Sequence, residues 1–120
     1  MAACILFIDS DHAKIFKLNP GKMDSSELKK HEQKHHNTGE KNEEHEKHFF
    51  NEVISHLKDS SELLIVGPGL AKNRFKSHLE AHHHQDLAKK VVGSETIDHP
   101  TDAQIVAVGK KFFTAYDVFH

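Results

Sequence analysis

Apolar residues are gathered into short runs separated by polar turns, and the clearest run lies in the middle of the chain. Leu63, Leu64, Ile65 and Val66 follow one another without a polar break and end at Gly67-Pro68-Gly69. A run this short and this apolar predicts a strand buried on both faces, as in a sheet covered by helices. The glycines tolerate positive φ and the proline fixes one dihedral, so the chain turns sharply there. Beyond the turn the period changes. Leu70, Phe75 and Leu79 fall near helical spacing, with Lys72, Asn73, Lys76 and Glu80 between them. Strand, tight turn and helix together are the repeating unit of an α/β domain.

The same pattern extends to both sides. Ala3 to Asp9 reads as a second buried strand, Ser10-Asp11-His12 as a polar turn, and Ala13 to Leu18 as the return strand of a hairpin. Its mixture of apolar and basic residues predicts one face towards water, with Lys14 and Lys17 projecting into solvent. Asn19-Pro20-Gly21 ends it. Lys22 to Glu46 carries only Met23 and Leu28 as apolar residues, so the expectation is an exposed loop, with a polar edge strand or fraying helix near Glu27 to Lys34. From Glu43 a helical stripe runs through Phe49, Phe50, Val53, Ile54 and Leu57. Asp86 to Lys90 reads as a helical turn, and Val91-Val92 with Ile97 as a weaker, short or interrupted strand. Thr101 and Gln104 fit a capping box ahead of a last amphipathic helix marked by Ile105, Val108, Phe112 and Tyr116. The predicted order is β-β-loop-α-β-α-β-α. The fold class is a single α/β domain, residues 1–120, with a mixed sheet flanked by helices.

Composition narrows the function classes. The net charge is -2 with histidine neutral, which sets up no global basic field for nucleic acid, yet 13 histidines hold charge in reserve. Cys4 has no internal disulfide partner and lies in an apolar run, which points to a reducing compartment. MAACILFIDSD lacks the charged start and long apolar core of a signal peptide. No run approaches the ~20 apolar residues that span a bilayer. The expectation is a cytoplasmic protein with no membrane contact.

Several residues invite chemical readings. Gly67, Gly69 and Lys72 open a helix, where free N–H groups and the helix dipole favour an anion, although the turn needs glycine in any case. Lys29, Lys30, Lys34, His35, His36 and Lys41 could contact RNA phosphates, against the interleaved Glu27, Glu32, Glu40, Glu43 and Glu44. His31 and His35 are spaced i, i+4, and His45 and His48 i, i+3. Either pair could share a helix face and hold zinc or nickel, adventitiously or as the site of a histidine-rich metal-binding protein. No cofactor is otherwise expected. Asp9 and Asp11, with Asp98 and Asp102 after a later strand, are candidates for a metal-dependent nuclease, while Asp-Ser-Asp-His is equally good turn chemistry. Phe113 and Phe119, if exposed, would offer a contact for a homodimer.

The stretch GPGLAKNRFKSHLE followed by DLAKKV resembles the middle domain of archaeal and eukaryotic class-1 release factors and of Pelota. In that family a buried strand ends in Gly-Pro-Gly, a lysine opens the next helix, and a Leu-Ala-Lys-Lys-Val-like segment leads to the next strand. Here those positions are Gly67, Pro68, Gly69 and Lys72, then Leu87, Ala88, Lys89, Lys90 and Val91. The hairpin and the long loop that precede them also follow the family's order, and bacterial release-factor-like proteins are similar too. The resemblance implies the ribonuclease H-like fold of translational machinery components. It also implies a loop that in release factors carries Gly-Gly-Gln and enters the peptidyl-transferase centre. That loop reads KKHEQKHHNTGEKNEEHE here, with no Gly-Gly-Gln. Pelota-like members also lack the tripeptide and act in ribosome rescue without hydrolysing peptidyl-tRNA. The expectation is a non-catalytic factor associated with the ribosome or tRNA, of rescue, stress or hibernation type. A ribonuclease H-like nuclease is the alternative, and a metal-binding protein the second.

Overall fold

The structure is a computed structural model and describes residues 2–19, 22–29, 39–81 and 85–119. In chain order the elements are β1 (Ala2–Ile8), β2 (His12–Asn19), β3 (Lys22–Lys29), α1 (Gly39–Ser55), β4 (Ser60–Gly67), α2 (Ala71–Ala81), α3 (Gln85–Ala88), β5 (Val91–Thr96) and α4 (Asp102–Phe119). The strands form one sheet in the order β3-β2-β1-β4-β5. β1, β2 and β3 are antiparallel in succession, and β4 lies parallel to both β1 and β5. This mixed sheet is the ribonuclease H-like arrangement that the resemblance implies, with one strand, β3, beyond the four that the sequence pattern predicts.

Both faces of the central strands are covered, which is why their sequences are apolar without alternation. On one face Cys4, Leu6, Ile8, Leu63 and Ile65 pack with Phe49, Phe50, Val53 and Leu57 of the α1 segment and Phe75 and Leu79 of α2. On the other, Ile5, Phe7, Leu64 and Val66 meet Ile105 and Phe113 of α4. Each large apolar side chain buried this way stabilises the fold by roughly 1.5–3 kcal/mol. Cys4 is fully buried and accepts a hydrogen bond from Ser60 Oγ at 3.0 Å. Burial pushes its thiol above the ordinary value of 9.0, and the Ser60 bond opposes that shift. Phe113 is a core residue, so the exposure expected of it is not met, and the side chain of Phe119 lies outside the described residues. Among the described residues, no helix is long and apolar enough to cross a membrane.

Three local expectations need correction. Most of the stretch 22–46, expected as a loop, falls in elements: it holds β3, which pairs with β2 residue for residue, and the start of α1 at Gly39. An edge strand needs one ladder of hydrogen bonds and little burial, so Lys22–Lys29 forms a strand without the alternation that would announce it. Met23 remains about half exposed, and Leu28 packs against the core. Residues 30–38, with Lys30, His31, Lys34, His35 and His36, lie outside the described residues. β2 is an interior strand and not a half-solvated one, with Ala13, Ile15 and Phe16 all buried. Its lysines point to opposite faces, as strand geometry requires of positions 14 and 17, and both find carboxylates. Lys14 Nζ reaches Asp102 at 2.7 Å and Lys17 Nζ reaches Asp59 at 3.0 Å. Finally, β5 is the short strand expected, with a register shift between Val91 and Gly93, but it takes in Gly93–Thr96, whose polar residues the parallel ladder with β4 holds in the sheet.

The capping box of α4 is made as its sequence predicts. Thr101 N–H donates to Gln104 Oε1 at 2.8 Å, and Gln104 N–H donates to Thr101 Oγ1 at 3.1 Å.

Candidate functional site

The pairings make β1, β3, β4 and β5 run in one direction, so their carboxyl ends share one edge of the sheet. In open α/β sheets that edge is where ligands bind. Here it gathers the β1–β2 turn with Asp9 and Asp11, the end of β3 at Lys29, the Gly67-Pro68-Gly69 turn, and the 97–101 connection with Asp98. The starts of α2 and α4 bring Lys72 and Asp102 to the same edge.

At the glycine turn, packing and conformation account for both glycines. Gly67 sits at φ 155°, and a Cβ there would collide with the Ile8 carbonyl oxygen of the neighbouring strand. Gly69 sits at φ 61°, the left-handed region, with open space where a Cβ would go. Lys72 is 6% exposed, and its Nζ donates to the Gly69 carbonyl at 2.7 Å. One donor of the ammonium expected to meet an anion is thus directed back at its own turn. Leu70, beside it, is 66% exposed.

The acidic residues are arranged differently. Asp9 Oδ1 accepts from the N–H groups of Asp11 (2.8 Å) and His12 (2.7 Å), and Asp9 N–H donates to the His12 carbonyl at 3.0 Å. This is the turn chemistry that Asp-Ser-Asp-His suggests. Next to it lies an open cleft of about 280 Å³, lined by Phe7, Asp9, His12, Lys14, Glu27, His99 and Pro100. The hydrogen bond that Lys14 donates to Asp102 foremost, with the fields of Asp102, Glu27 and Asp9, holds the Lys14 ammonium above its ordinary value of 10.5 against the opposing effect of burial. Asp98 is exposed, 3.4 Å from the His99 ring, and His99 has φ 46°.

This geometry does not assemble the nuclease centre expected of Asp9, Asp11, Asp98 and Asp102. Among the described residues, no three or more His, Cys, Asp or Glu side chains gather as a metal site. Two-metal hydrolysis needs converging carboxylates. Here Asp9 caps a turn, Asp102 is bonded to an ammonium, and Asp11 and Asp98 face solvent. Glu27 and Lys14 belong to the cleft although the sequence did not mark them as site residues. They face each other across the β2–β3 ladder, a register visible only once β3 is known to be a strand. His12 and His99 join them by turn geometry, for which the sequence carries no motif.

His45 and His48 line a second groove, of about 360 Å³, with Lys29, Phe49 and Glu52. The i, i+3 spacing does put both imidazoles on one groove, without a third ligand gathered beside them among the described residues. Lys29 is exposed at the end of β3. Buried His78 also escaped notice in the sequence; its Nε2 lies 3.0 Å from Asn51 Oδ1, with the ring edge-on to Phe50 at 5.4 Å.

No protein-family model matches the sequence, and no curated protein matches it. Solved structures do. Pelota of Archaeoglobus fulgidus aligns over 92% of this chain with a TM-score of 0.66 and 20% identity. Pelota of Thermoplasma acidophilum aligns over 88% of it, with a TM-score of 0.58 and 20% identity. The archaeal translation termination factor aRF1 aligns over 87%, with a TM-score of 0.59 and 19% identity. The chain spans about a third of the length of these neighbours, 31%, 30% and 32% respectively. At this identity the likeness is one of fold, and the chain is a single domain built like one in Pelota and in the archaeal termination factor.

Proposed function

We propose that the protein is a non-catalytic factor of the translation machinery that associates with the ribosome or tRNA. The observation that carries this reading is the shared fold: almost the whole chain aligns with a domain of Pelota and of a translation termination factor. Fold alone does not fix function. The non-catalytic part rests on the sequence, which has no Gly-Gly-Gln in the segment between β3 and α1, and on Asp9 and Asp102 of the sheet edge, which are engaged in turn and ion-pair roles. A role in rescue, stress or hibernation belongs to this reading, and no cofactor enters it.

Phosphate contacts fall to Lys29 and to the basic residues of the segment that follows it, because Lys72 is turned inward. Two assays on the purified protein test the reading. In a pelleting assay with ribosomes, binding should weaken steeply as salt rises, as phosphate contacts require. With peptidyl-tRNA as substrate there should be no hydrolysis above background. Salt-insensitive or absent binding would overturn the partner assignment, and release of the peptide would overturn the non-catalytic one.

A further inference from the structure

We draw no further inference here: the strongest candidate, the open cleft between Asp9, Lys14, Glu27 and His99 at the carboxyl edge of the sheet, belongs to the site already described, and nothing in the structure shows what its carboxylates and imidazoles would hold.

Discussion

Two polar features share the carboxyl edge of the sheet and differ in where their polar atoms go. At the Gly67–Lys72 turn they go inward. The backbone of Gly67 lies against Ile8, and the Lys72 ammonium is buried on the Gly69 carbonyl. In the cleft beside Asp9 they go outward, around a Lys14–Asp102 pair whose carboxylate is mostly exposed. The turn is conspicuous in the sequence because glycine is demanded by the backbone, and within it the lysine already donates to the Gly69 carbonyl. The cleft has no motif, since its residues come from four separate segments, yet its groups are the ones open to solvent. A conspicuous motif and an available site are different things here.

Substitutions can break or sharpen this contrast. Gly67→Ala should be the most damaging, on the order of 3 kcal/mol, because the added Cβ meets backbone that cannot move without shifting a central strand. Gly69→Ala, with room for its Cβ but a left-handed backbone, should cost about 1–2 kcal/mol. Urea unfolding midpoints would rank the two, and a larger loss at Gly69 would contradict the packing account of Gly67. Lys72→Met keeps the aliphatic stem and removes one hydrogen bond, so stability should fall by about 1 kcal/mol. Ribosome binding should stay unchanged in that variant; a loss of binding would return Lys72 to the interface. Lys14→Met removes a largely solvated pair, and its cost should stay below about 1 kcal/mol.

The pH dependence separates the interior from the edge. Burial raises the Cys4 thiol above 9.0, so its contribution to stability is complete below pH 9.0 and is lost as pH climbs towards the folded value. The raised Lys14 value acts in the same direction but only above 10.5. Thermal midpoints followed into the alkaline range should therefore begin to fall near pH 9.0 in both the wild type and Lys14→Met. Cys4→Ala should lose that first decline, and a decline abolished by Lys14→Met would contradict the assignment.

Much of the fold was legible because β1, β4 and the stripe on α1 are each carried by unbroken or periodic apolar residues, and the capping box of α4 by two residues at fixed spacing. β3 was not, because an edge strand draws its stability from backbone pairing with β2 and buries little more than Leu28. That miss propagated: without β3, Glu27 could not be placed opposite Lys14. Asp102 was not legible as an ion-pair partner of Lys14 because 88 residues separate them in the chain. The bond that Lys72 makes within its turn was not legible for a related reason. Helix position suggests an anion contact, while only the folded turn shows the Gly69 carbonyl within reach of its ammonium. The histidine pairs were legible as spacing alone, and spacing does not supply a third ligand.

The most direct test of a translation-linked role is sedimentation of the protein with ribosomes from its own cells on low-salt sucrose gradients, in growth and in starvation. The account predicts comigration with subunits or whole ribosomes that falls away as salt is raised. Protein that remains at the top of the gradient in both states would contradict it and leave the likeness to Pelota and the termination factor as one of fold.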